Sequence, residues 1–288
     1  MSHTVLACLW MTGAIVSFSS MAVGGRAISA GLDTFEIMMY RSFIGIAIVV
    51  SLAKWSGTLG QINRAQIGLH VVRNICHFTG QNLWFAALPM IPLAQLFALE
   101  FTSPLWILLL APIFLGERLT ANRIAAAIAG FIGILVVVRP GVDTVNIGVV
   151  MAALAAIGFA GSIVFTRMLT RTDSITSILF FLTVLQALFG VVCAGFDGDI
   201  ALPDRQSVPW LILVGCAGLL AHYCLTKAVT FAPVTVIIPV DFLRLPLIAV
   251  IGMVFYDEGV DPWVIVGAAI IFIANYANIL IETRKAKI

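Results

Sequence analysis

Apolar runs closed by short polar stretches recur along the whole chain. A membrane-spanning helix needs about 20 mainly apolar residues. The pattern predicts ten such helices, at 4–25, 34–53, 66–88, 92–115, 122–138, 146–170, 174–195, 209–231, 233–256 and 262–281. The connections are too short to hold a soluble domain. The first run lacks a basic leader and a small-residue cleavage pattern, so it is read as an uncleaved first span.

The fourth run, PLAQLFALEFTSPLWILLLAPIFLGE at 92–117, breaks the apolar rule by enclosing Glu100, Pro104 and Pro112. Adding 141 to each number reaches PVTVIIPVDFLRLPLIAVIGMVFYDE, which places Pro92 on Pro233, Glu100 on Asp241 and Glu117 on Glu258. Span boundaries repeat at the same offset, as do the weaker identities Phe18/Phe159 and Arg26/Arg167. The chain reads as one five-helix unit written twice, at 1–141 and 142–288. Five is odd, so the second copy enters the membrane from the opposite face. That is the inverted repeat common in secondary transporters.

Composition sharpens the class. The 288 residues are 61% hydrophobic and 10% charged, far below the roughly one quarter charged of soluble domains. Net charge is +2, which gives no reason to expect nucleic acid. At the span ends and in the loops, ten basic residues, from Lys54 to Lys287, fall on the side of the termini and three (Arg26, Arg139, Arg205) on the other. This bias predicts cytoplasmic termini in a plasma (inner) membrane protein. The five cysteines show no metal or redox spacing and read as small apolar residues. No metal ligand set, cofactor motif or catalytic constellation is visible, so neither a metal nor a cofactor is expected.

The run 73–141 carries a family resemblance. A proline turn follows small residues, PL lies inside the fourth span, and GERLT precedes a glycine-rich span ending in RPG. These features resemble the EamA domain of the drug/metabolite transporter superfamily. The second half is similar but degraded, with DEGVD in place of ERLT and no RPG. The resemblance implies an all-α membrane protein with ten helices in two inverted five-helix repeats around a central cavity, exporting or exchanging small metabolites. Length and layout look like the YddG-type amino-acid exporters; related branches carry nucleosides, S-adenosylmethionine, riboflavin or drugs.

Polar residues inside the spans are the candidate site, because ionisable groups at membrane depth face a bundle interior or wet cavity. Arg73, His77, Gln81 and Trp84 share one face of the third span. His77 and Gln81 either line the cavity or hydrogen-bond a neighbouring helix. His222, the repeat mate of Gln81, is a candidate for substrate or proton contact, with Tyr223 beside it. Glu100 and Asp241 are either gates or substrate-amine contacts, or else structural partners. Arg41 is the candidate partner for Glu100, and Arg244 or Arg73 for Asp241. Trp10, Trp84 and Phe159 are candidates to stack a flat substrate; Pro104, Pro239 and Pro246 are candidate hinges. Small residues such as Gly13, Gly158 and Gly133 mark close helix contacts.

An intramembrane enzyme would need a nucleophile beside a base or metal-spaced acids, and a channel would need a filter loop or charged ring; neither is written here. The expectation is a transporter of small neutral or zwitterionic metabolites in the lipid bilayer. Aromatic or apolar amino acids are the leading substrates. Nucleosides, drug-like solutes and S-adenosylmethionine are alternatives.

Overall fold

The structure, a computed structural model, describes residues 3–116, 120–139, 146–196, 198–231 and 240–285. Its helices are α1 (His3–Ile28), α2 (Thr34–Trp55), α3 (Ile67–Ala87), α4 (Leu93–Glu100), α5 (Ser103–Leu115) and α6 (Ala121–Val138). They continue with α7 (Ile147–Leu169), α8 (Ile175–Ala194), α9 (Ser207–Phe231), α10 (Arg244–Tyr256) and α11 (Pro262–Lys285). A single 3-10 turn, Leu59–Gln61, interrupts the α2–α3 loop, and no strand occurs among the described residues. Six helical stretches, among them α4–α5 taken as one at Leu93–Leu115, are long and apolar enough to cross a membrane. The α3 helix is not among them, because its buried face carries His70, Arg73, Asn74, His77 and Gln81.

The packing follows a pseudo-twofold. Helix α1 packs on α9, and their repeat mates α7 and α3 pack on each other. On the axis, α2 meets its own mate α8, and α6 meets its mate α11. These contacts are close because glycines lie in them. A Cβ on Gly158 of α7 would stand 2.7 Å from the Gly80 Cα and 2.9 Å from the Cys76 carbonyl of α3. One on Gly133 of α6 would stand 2.9 Å from the Gly267 carbonyl of α11. Without water between helices to drive association, such backbone approach supplies much of the packing energy.

The fourth span is broken. Helix α4 stops at Glu100, Phe101 and Thr102 form a turn, and α5 starts at Ser103. Pro104 has no N–H to donate and sits in the first turn of α5, where none is needed. Carbonyls freed at the break are satisfied by side chains, as lipid demands. Thr102 Oγ1 donates to Leu99 O at 2.6 Å, Ser103 Oγ to Glu100 O at 2.7 Å, and Asn275 Nδ2 to Phe101 O at 3.3 Å. The ninth span breaks at the repeat position: residues 240–241 are helical, 242–243 turn, and α10 starts at Arg244 with Pro246 in its first turn. Both second halves end on a left-handed residue, Gly116 at φ 68° and Asp257 at φ 54°, again 141 apart. Pro239 and Glu117 lie outside the described residues.

At the end opposite the termini, a capping box starts α2: Asp33 Oδ1 accepts from the Glu36 N–H and Glu36 Oε2 from the Asp33 N–H. Glu36 Oε1 also accepts from the Ala201 N–H, and Tyr40 donates to Ala201 O, which ties the α8–α9 loop to α2. Asp204, exposed in that loop, accepts from the Ser207 N–H at 2.7 Å. The Ser207 hydroxyl and N–H hold its carboxyl below the usual range. Trp55, Trp210 and Trp263 stand outward at span ends.

Candidate functional site

The two span breaks meet at the axis. Phe101 and Phe242, repeat mates in the two turns, face each other with ring centroids 4.3 Å apart. Beside them Arg244, only 5% exposed, serves both acids: Nη1 reaches Glu100 Oε1 at 3.2 Å and Nη2 reaches Asp241 Oδ2 at 3.3 Å. Its guanidinium also lies over Phe18, Phe97 and Phe101 at 4.7, 5.3 and 4.8 Å. Trp84 Nε1 completes the group by donating to Glu100 Oε2 at 2.8 Å. Arg73 and Arg41 pair with neither acid. Arg73 Nε donates to Thr166 Oγ1 at 3.0 Å, and Arg41 has a weak Nη1 contact to Met21 Sδ.

Phe18 links this group to a second one. Its ring is 5.6 Å from His222, which lies 6.1 Å from His77; His77 in turn is 6.2 Å from Phe159. His77 and Gln81 are each 4% exposed. A narrow cavity between α2, α8 and α9 touches this group, with Arg41, Thr183, Gln186 and His222 on its wall. Several buried polar atoms here and on the axis have no partner: His77 Nδ1, Gln81 Nε2, Gln186 Oε1, Asp241 Oδ1 and Arg244 Nε. Leaving such groups unmet costs about 1–3 kcal/mol each. The same condition holds at Ser19, Asn82, Trp106 and Asn278, and water or a ligand can meet such atoms.

Trp10 and Tyr223 stand apart from both groups. They pack edge-to-face on each other at 5.8 Å, toward the terminus-bearing ends of α1 and α9, with Tyr223 47% exposed. Three further features are absent from the sequence-based site: Gln186, Asn275 and the pair His70–Asp173. The last is joined Nε2 to Oδ2 at 2.7 Å with both side chains fully buried, near the termini and away from the axis. Gln186 and Asn275 lie in largely apolar spans, without the shared polar face that singled out Gln81.

The end opposite the termini is shut. Arg26, closing α1, pairs with Glu258 and donates to the Leu88 and Ile91 carbonyls, while Glu258 Oε2 accepts from the Leu93 N–H. This knots the α1 end, the α3–α4 turn and the α10–α11 loop together. To one side lies a cavity of about 250 Å³, bordered by Pro92, Gln95, Arg139, Asn146 and Asp261.

The profile of the EamA-like transporter family matches residues 5–139 and again 146–280. A riboflavin transporter of Brucella anthropi is 30% identical over 84% of this chain and 86% of its own. An S-adenosylmethionine uptake transporter of Rickettsia bellii is 25% identical over 96% and 94%. A pseudopaline exporter of Pseudomonas aeruginosa is 26% identical over 93% of both. A solved structure with 18% identity superposes at TM-score 0.65 over 98% of this chain and 99% of its own, a likeness of fold alone.

Proposed function

The chain belongs to the EamA-like transporter family and is a membrane carrier of small molecules, and we propose that its substrate is a planar, uncharged or zwitterionic metabolite moved by alternating access. The observation that carries this reading is the closed middle of the bundle. Two broken spans meet there, aromatic rings from both halves stand together, and unpartnered polar atoms surround them. Arg244 is already held between two carboxylates, so the axis offers hydrogen bonds and ring faces rather than a convergent positive charge. A flavin fits that description, and riboflavin is what the Brucella relative is named for. A second reading, aromatic amino acids, is favoured by the Glu100–Arg244 pair, whose opposite charges match an ammonium and a carboxylate.

Transport is rocking of residues 1–141 against 142–288 about this midplane site. Both termini are cytoplasmic by the distribution of basic residues, so the end shut by Arg26 and Glu258 is the outer one. The 141-residue offset assigns Arg167 and Glu117 the same task at the inner end. The test is counterflow in proteoliposomes with riboflavin, S-adenosylmethionine and aromatic amino acids. Trans-stimulated exchange of riboflavin supports the first reading, exchange of amino acids alone supports the second, and no exchange of any member of the panel refutes both.

A further inference from the structure

Helix α8 is almost wholly apolar, and Gln186 is the one amide in its 20 residues, just past its middle. The residue is 1% exposed. Its orientation is set by its partners: Nε2 donates to the Asn74 carbonyl at 3.1 Å and leans on Asn74 Oδ1 at 3.4 Å. A backbone carbonyl only accepts, so the nitrogen must be the atom on Asn74, and the oxygen is left beside the ring of His77, one turn further along α3. That oxygen is buried and has no partner. Gln186 borders the cavity between α2, α8 and α9, whose wall also includes Arg41, Ser42, Thr183, His222 and the side-chain-free Gly215 and Gly218.

The neighbours define what this oxygen is for. The Ser42 hydroxyl spends its proton on Met38 O, and Thr183 shares its own between Leu179 O and Phe180 O. They and Gln186 Oε1 therefore present acceptors, between the imidazole of His222 on the same wall and that of His77 beside Gln186. Arg41 supplies donors, restrained by Met21 Sδ at 3.9 Å and the Phe85 ring at 5.9 Å. Acceptors side by side repel an anion; they call for an N–H. The arginine calls for a carbonyl next to it.

We propose that Gln186 is a specificity-determining residue that accepts a hydrogen bond from a ring N–H of the substrate, with Arg41 donating to the adjoining carbonyl. The recognised group is an imide-type edge of a planar heterocycle. This rests on the planar-metabolite reading above and narrows it. Nothing of the kind is repeated across the axis, since the repeat mate of Gln186 is Gly45.

The experiment is counterflow of riboflavin against its N3-methyl analogue, which keeps both carbonyls and loses the N–H between them. The unaltered carrier should prefer riboflavin by about tenfold or more, the loss expected when a buried acceptor is left unmet. Gln186→Leu should bring the ratio to about one while still exchanging the methylated compound. Equal transport of the two flavins by the unaltered carrier overturns the proposal without needing any variant to fold. Retention of the preference in Gln186→Leu overturns it as well. If aromatic amino acids exchange and neither flavin does, the planar-heterocycle reading has failed first, and this assignment with it.

Discussion

Replacing Arg26 by alanine should unlock the end of the bundle opposite the termini. The side chain makes a salt bridge to Glu258, donates from Nε to Leu88 O at 2.9 Å and from Nη2 to Ile91 O at 2.7 Å, and lies over the Tyr256 ring at 4.8 Å. The two charged side chains are 13% and 16% exposed. Breaking a fully buried pair costs about 3–5 kcal/mol; this pair is partly solvated, so about 2–3 kcal/mol is the reasonable figure. At about 1.4 kcal/mol per tenfold, the population open at that end should rise by roughly 30- to 140-fold. A single cysteine at Gln81, in a background with the five native cysteines replaced, reports that opening. Its labelling by an impermeant maleimide added to the face opposite the termini should accelerate by about this factor. Glu258→Gln should act similarly, and the double variant should add little, because both remove one coupled contact. An unchanged labelling rate in Arg26→Ala would show that the knot does not hold the bundle shut.

Arg244→Met should cost about 2–3 kcal/mol, since the half-buried Glu100 and Asp241 would lose their cation; thermal aggregation in detergent measures it, and near-native stability would refute the role of the triad. Trp84→Phe keeps the ring but removes the 2.8 Å bond to Glu100, for an expected loss of about 1.5–3 kcal/mol in the same assay. Gly158→Ala puts a methyl 2.7 Å from the Gly80 Cα, and backbone cannot give way as a side chain can. The α3–α7 seam should open at a cost of about 1–3 kcal/mol, which a drop in melting temperature would record; an unchanged melting temperature would show that the seam yields without cost.

Much of the fold was legible because the bilayer allows few solutions. Apolar runs of fixed length, a charge bias and an acid recurring at one offset are signals that no tertiary detail can erase. The breaks after Glu100 and Asp241 were legible only as proline-bearing spans. Proline marks where a helix bond is missing, but the turn depends on Ser103, Thr102 and Asn275 lending hydrogen bonds, one of them from 174 residues away. Pairing was less legible for the same reason. Arg41 lies at a depth similar to that of Glu100, yet Glu100 chose Arg244, because the two span breaks converge and depth alone does not encode azimuth. Gln186 was passed over since α8 shows no polar face; one amide makes no periodicity, and its meaning arises only from the Asn74 clamp.

Duplication explains the geometry of the middle and fails to explain its chemistry, and that difference locates the origin of selectivity. Glu100/Asp241, Phe101/Phe242 and Phe18/Phe159 are matched pairs, and they build the break, the stacked rings and the flanking aromatics symmetrically. Apart from these two acids, the groups named at the site that form directional hydrogen bonds are unmatched. Arg244 answers to Ser103, His77 to Gly218, Gln186 to Gly45, Gln81 to His222 and Asn275 to Ile134. A symmetric site would present the same donor and acceptor pattern twice and would suit a symmetric solute. Metabolites are not symmetric, so a carrier built from two copies must break its own symmetry at the atoms that touch cargo while keeping it in the parts that move. The unmatched positions are therefore where exchanging residues between relatives should change which compound is carried, and the matched positions are where the same exchange should change whether anything is carried.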